Sequence, residues 1–286
     1  MDDFPRPGTA PSAVAIPAPG AGPGYWAGSS CAALDDNGDV VLAYRLRVGF
    51  AGEVATVVAR SEDGVRFETV ATLDTDRFDA MSMERPALVR IGDGRWRLYT
   101  CCATKNSKHW WIGVLEADDP AGFETAAVRT VFPGDAQTGV KDPIVQRRAG
   151  GWHAWICCHP LDEPDEEDRM TTAYATSTDG LAWTWQGTVL RPRPGKWDAR
   201  GARLTAVLAD GRAAYDGRAT KEENWFERTG LARRAGDGSF EPLGDEPVSN
   251  ARYLDVLPLG DRSYRIYYEA LLADGSHELR TELVGR

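Results

Sequence analysis

Long amphipathic helical patterns are scarce along this chain. Short runs of alternating Val, Ile, Leu, Tyr and Trp recur instead, bounded by Asp-Gly or Gly-Gly turns. A period of two puts successive side chains on opposite faces, so the pattern predicts β-strands joined by tight hairpins. Five turn-centred hairpins follow one another: CAALDDNGDVVLAYRL, ALVRIGDGRWRLYTCC, IVQRRAGGWHAWICC, TAVLADGRAAYDGR and LDVLPLGDRSYRIYYEA. A second hairpin follows each of the first four: VVARSEDGVRFETV, IGVLEADDPAGFETAAV, TAYATSTDGLAWTWQ and GLARRAGDGSFEPL. The fifth unit ends on a single run, HELRTELV. Four strands in a unit of about 40 to 50 residues is the period of a propeller blade. The expectation is an all-β, five-bladed β-propeller with four-stranded antiparallel blades, whose closure leaves only short, protected edges.

The propeller is expected over residues 25–286, behind a proline- and glycine-rich arm at 1–24. That arm has an acidic head and no basic segment leading into an apolar run. No apolar run reaches the ~18 to 20 residues of a spanning helix. A net charge of −10 argues against nucleic acid and anionic membranes as partners, since both attract a positive field. Five cysteines, with the vicinal pairs Cys101-Cys102 and Cys157-Cys158, make no disulfide framework and fit a reducing compartment, so a cytoplasmic location is expected. Adjacent strand residues face opposite ways, which tells against a zinc site built from these pairs and His159 and assigns the thiols to the core. His109, His153, His159 and His277 show no metal spacing.

A smaller repeat precedes the first strands: FDA, GDA, WDA and a weaker SNA, carrying Asp79, Asp135 and Asp198. A carboxylate there accepts backbone N–H bonds in a turn, a structural role. The strand starts themselves differ. Unit one has Ser29-Ser30, unit two Glu84-Arg85-Pro86, unit three Lys141-Asp142-Pro143, unit four Ala202-Arg203, and unit five Arg252-Tyr253 followed by Asp255. Innermost strands line the channel, so these charges either bind sugar hydroxyls and work as paired carboxylates, or satisfy one another as a salt-bridge network, Glu84 with Arg203 or Asp142 with Arg252. Spacing leaves both open. Aromatics that stack on sugars stand beside loops: Trp26 heads unit one, Trp110 follows KNSKH, and Trp225 follows KEEN.

The outer hairpins ARSEDGVRF (59–67) and ATSTDGLAW (175–183), with the acids before proline in ERP and KDP, make the chain resemble the superfamily of arabinanases, xylosidases, invertases and levansucrases. The resemblance covers residues from about 25 to 283 and implies a glycoside hydrolase, inverting, acting on a small-molecule glycoside or oligosaccharide. It implies Glu84 as general acid, Asp142 as general base or nucleophile, and Asp198 as the group tuning the acid. Arg85, Arg200, Arg203, Arg218, Arg252 and Asp255 would bind hydroxyls, together with Trp26, Trp110 and Trp225. WDARGARL and YDGR in unit four are similar to segments of many sugar-processing propellers and bring in Arg200, Asp216 and Arg218. No cofactor is required; the resemblance suggests only a channel calcium held through His277. Two departures matter: blade one offers Ser29, Ser30 and Cys31 where most relatives have a carboxylate, and the glutamate precedes the KDP blade. They open two alternatives, a catalytically inactive carbohydrate-binding propeller and a glycoside phosphorylase or transglycosidase.

Overall fold

The computed structural model describes residues 4–260 and 262–285. Strand β1 (Ser12–Ile16) precedes the first unit, which is β2 (Tyr25–Leu34), β3 (Val40–Val48), β4 (Val54–Ser61) and β5 (Glu68–Asp74). In the second, β6 (Ala80–Met83) and β7 (Ala87–Arg90) both pair with β8 (Trp96–Thr104), followed by β9 (Trp110–Ala117) and β10 (Arg129–Phe132). The third holds β11 (Thr138–Arg148), β12 (Gly151–Pro160), β13 (Thr171–Ser177) and β14 (Thr184–Leu190). The fourth holds β15 (Gly201–Val207), β16 (Arg212–Arg218), β17 (Arg228–Arg234) and β18 (Phe240–Pro242). The last has β19 (Arg252–Pro258), β20 (Tyr264–Leu271) and β21 (His277–Val284). Each unit is an antiparallel meander, as the hairpin series predicts.

The innermost strands touch in a ring: β2 meets β7, β7 meets β11, β11 meets β15, β15 meets β19, and β19 returns to β2. Hydrophobic cores lie between successive units rather than within them. Cys102 packs with Leu98, Met83 and Val58 between units one and two, and Cys101 with Ile112, Val140 and Ile156 between units two and three. The vicinal thiols therefore point into different cores, as alternation along a strand requires. An inner strand covered on both faces is buried throughout, as in β15, whereas the outer β5 alternates exposed and buried positions.

The fourth strand of the last unit comes from the opposite end of the sequence. Strand β1, inside the segment read as an arm, pairs antiparallel with β21, and β21 in turn bridges to β2 between His277 and Trp26. The Glu282 carboxylate accepts the N–H groups of Gly8 (2.8 Å) and Ala10 (3.0 Å). Phe4, 5% exposed, sits among Leu208, Leu254 and Ile266 at the seam of units four and five. Phe4→Ala is accordingly expected to cost about 3 kcal/mol, within the range for a buried phenylalanine. Thermal unfolding followed by circular dichroism checks this as a fall in Tm of roughly 6 to 12 °C.

Candidate active site

Three of the differing strand starts share one backbone device. The pairing of β2 with β3, β11 with β12 and β19 with β20 slips between Gly28 and Cys31, Lys141 and Ile144, and Arg252 and Asp255. Each slip begins on a left-handed residue: Ser29 (φ 54°), Asp142 (φ 51°) and Tyr253 (φ 50°). A bulge of this kind re-aims a side chain, at a cost of roughly 1 kcal/mol or more for a residue with a Cβ. Asp142 and Tyr253 are turned inward to meet each other. Their counterpart in unit one is Ser29, fully buried, with an Oγ that has no hydrogen-bond partner among the described residues. Beside it Gly28 is required, because a Cβ there would run into the Glu269 carboxylate.

The hydroxyl of Tyr253 lies 3.1 Å from Glu84 Oε2 and 3.4 Å from Asp142 Oδ2, and accepts from Arg203 at 2.8 Å. Arg203 also donates to Asp142 (2.7 Å) and Asp216 (2.8 Å). Glu84 is held by Arg45, whose other terminal nitrogen is 3.3 Å from Glu269. From Glu269 the chain of charges continues to Arg252 (2.6 Å), then to Glu227 Oε2 (2.8 Å, near but out of line for a hydrogen bond), and from Glu227 to Arg218. A network therefore exists, but with other partners than spacing suggests: Glu84 takes Arg45 and Asp142 takes Arg203.

Above this floor opens a cavity of about 410 Å³, lined among others by Glu84, Lys141, Arg203, Arg218, Glu227, Arg252, Tyr253, Trp110 and Trp225. The Glu84 side chain retains 12% exposure, whereas that of Asp142 retains none. Burial alone would raise the Glu84 pKa, but Arg45 and Lys141 outweigh burial and the nearby Asp142 charge and hold it below the usual range. Asp142 is likewise lowered, burial being overcome by Arg203, Lys141 and the Arg85 N–H. Asp216, deeper, is raised because burial exceeds what Arg203 returns.

The other expected site residues divide. Arg218 and Arg252 line the cavity, and Arg203 forms its floor. Arg85 turns away from Glu84 and spans the channel below, donating to Ser30 O (3.1 Å), Thr205 O (2.7 Å) and Asp255 (3.1 Å). Arg85 and Asp255 thus tie four units together beneath the funnel. Asp198 faces the other side of unit four, fully buried against Arg193 (2.9 Å) and the Tyr215 hydroxyl (2.9 Å), and is not brought to Glu84 or Asp142. Arg200 sits on the rim, paired with Asp168 (2.7 Å) and Glu166 (2.6 Å). Trp110 lines the funnel with Lys141 over its ring at 4.9 Å. Trp26 is buried at 3% exposure behind Trp225 and His277. Among the described residues no group of three or more His, Cys, Asp or Glu forms a metal site, and no helix is long and apolar enough to cross a membrane.

Sequence reasoning passed over Arg45, Glu227, Glu269 and the Tyr253 hydroxyl. A signal existed for two of them: Arg45 and Glu269 each stand directly after an apolar run of a second strand, VVLAY and IYY, and a charge buried in such a strand has to meet a partner.

No protein-family model and no curated protein matches the chain. Among solved structures, it is similar to a β-1,2-mannobiose phosphorylase from Listeria innocua, solved with β-1,2-mannobiose (14% identity, TM-score 0.64, covering 98% of this chain and 92% of that one). It is also similar to an α-L-arabinofuranosidase from Lactobacillus brevis (14%, TM-score 0.68, 90% of each chain). A third is an α-L-arabinanase from Penicillium chrysogenum complexed with arabinobiose (10%, TM-score 0.61, 96% and 97%). The chain has the fold of these propeller enzymes. At such identities the likeness concerns the fold, and function has to be argued from the site.

Proposed function

We propose that the units are the blades of a five-bladed propeller and that the protein cleaves glycosidic bonds in its funnel, with Glu84 as the proton donor. The observation that carries this is the funnel floor. Glu84 is its accessible inner carboxylate, backed by Tyr253 and the hidden Asp142, beside Lys141 and Arg47. Asp142 lies behind Tyr253 and cannot flank a sugar opposite Glu84, so it serves to position Tyr253 and Arg203 rather than to activate water.

Of the other carboxylates lining the cavity, Asp168 is held by Arg200 and Glu227 by Arg218, and the cations offer an acceptor other than water. Lys141 and Arg47 both feel the Glu84 charge, and among the described residues neither has a carboxylate within ion-pair distance. A bound hydrogen phosphate would neutralise them and, as a neighbouring anion, raise the Glu84 pKa so that the acid becomes loaded when its co-substrate arrives. The glycosidic C–O bond then breaks, the leaving oxygen takes the Glu84 proton, a phosphate oxygen bonds to the anomeric carbon, and the proton left on the phosphate returns to Glu84. The products are a sugar phosphate and an alcohol. A mannobiose phosphorylase is among the solved structures with this fold, beside an arabinofuranosidase and an arabinanase.

The test is a panel of disaccharides and aryl glycosides assayed with and without inorganic phosphate, measuring sugar phosphate and free sugar. Phosphate-dependent cleavage is expected. Equal cleavage in phosphate-free buffer would make water the acceptor and the enzyme a hydrolase. If no glycoside turns over while a sugar raises Tm, the protein is a binding module.

A further inference from the structure

Beside the funnel lies a second pocket, of about 240 Å³, sharing Trp225, Glu227 and Arg252 with it. Its own walls are Phe226, Leu271 and His277, with Arg228, Asn250 and Glu269. The rim is unusually apolar for exposed surface: Trp225 is 43% exposed, Phe226 52%, Leu271 49%, and Phe50, whose ring is 5.6 Å from that of Trp225, 52%. Large apolar side chains gathered at one place on a rim mark a contact site more often than scattered ones do. Trp225 is moreover held left-handed, at φ 78°, a conformation that costs a bulky residue energy and persists where the surroundings impose it. The pocket wall thus has a strained, exposed indole.

At the inner end stands His277, 2% exposed; among the described residues neither ring nitrogen has a hydrogen-bond partner, and Nε2 lies 4.0 Å from Glu269 Oε1. Burial first, then Arg252 and Arg45, push its pKa down to about 3, so the ring is neutral at ordinary pH. A neutral imidazole offers one N–H donor and one acceptor nitrogen. A group able to give and take a hydrogen bond, a hydroxyl, satisfies such a ring, and leaving it unpaired is costly. A cavity of about 150 Å³ lined by apolar groups holds a benzene, so the larger space here suits a fused or substituted ring.

We propose that this side pocket binds the leaving group of the substrate, and that this group is an aromatic aglycone bearing a hydroxyl, seated between Trp225, Phe226 and Leu271 with its hydroxyl toward His277. The inference rests on the reading of the funnel as a glycoside-cleaving site. The sugar occupies the charged funnel over Glu84 and Lys141, and the aglycone turns into the apolar pocket across Trp225.

The test uses the full chain and needs no turnover. 2-Naphthol, titrated by calorimetry and tryptophan fluorescence, is expected to bind saturably, with 2-methoxynaphthalene at least ~10-fold weaker because it cannot donate to the imidazole. Leu271→Asp and Phe226→Ala, both at exposed positions and checked for unchanged Tm, are each expected to weaken 2-naphthol by ~10-fold or more. No saturable binding to the wild type, or equal binding to both variants, overturns the proposal. Disaccharides cleaved by a protein that ignores 2-naphthol would sink the pocket and spare the funnel. Pocket-dependent naphthol binding with no turnover of naphthyl glycosides or disaccharides would sink the catalytic reading and keep an aryl site.

Discussion

Glu84→Gln is expected to lower kcat for a cleaved glycoside by about 10²- to 10⁴-fold, the range for loss of a positioned proton donor, with KM changed only a few-fold. The amide keeps the shape of the carboxylate and can still accept from the Tyr253 hydroxyl, now 3.1 Å away. Arg45 is not orphaned, since Glu269 remains 3.3 Å from its other nitrogen, so the fold should survive. The decisive readout is the leaving group. A dinitrophenyl glycoside, whose phenolate departs unprotonated, should lose far less rate than an alkyl glycoside or a disaccharide. Equal loss for both kinds of substrate would mean that Glu84 only holds the site together, and full retention of kcat would remove it from the chemistry.

Arg203→Met should be the most destabilising single change at the site. Its guanidinium, 2% exposed, bonds Asp142, Asp216 and the Tyr253 hydroxyl and lies 3.9 Å from the centre of the Tyr253 ring. Taking it away leaves two buried carboxylates short of a counter-charge, which typically costs about 3 to 5 kcal/mol. In a chain of this size that is a fall in Tm of roughly 6 to 20 °C. Lysine should recover only part of the loss, because a point charge cannot fork to both carboxylates. The pH dependence has a definite sign. Asp142 is depressed in the folded protein, so the stability it contributes is present above the ordinary carboxylate value of about 3.9 and is lost as pH falls through the lowered one. Asp216, raised by burial, works in the opposite direction and is relieved on protonation. The gap between wild type and Arg203→Met should therefore be widest near neutral pH and narrow below about pH 4. Denaturant melts across that range check it, and a gap independent of pH would show that lost packing, rather than charge, explains the defect.

The stretches MERPALVRIGDGRWRLYTCC and VKDPIVQRRAGGWHAWICC show how far the sequence reaches. Both fold as the inner hairpins of their units, as alternation and turn residues require; Cys101 and Cys102 part into different cores, while Cys158 packs in a core and Cys157 faces His159. That much is local, because the period of two fixes which residues share a face. Glu84 and Asp142 could also be picked out as charges at the start of buried strands. What they meet could not. The partner of Glu84 is Arg45 of a different unit, and that of Asp142 is Arg203, each brought in across the ring of inner strands. Asp198, in a motif like the others, faces away because Tyr215 and Arg193 claim it.

The sequence by itself thus determined the repeating meander, its cores and the pool of charged strand starts, because these follow from periodicity and turn chemistry within some 40 residues. Only the tertiary structure decided which of those charges reaches the funnel, which lies hidden beneath it, and that β1 completes the last sheet. Bulges at Asp142 and Tyr253 aim the side chains, and closure of the ring brings together residues as far apart as Glu84 and Tyr253, pairings that no local pattern encodes.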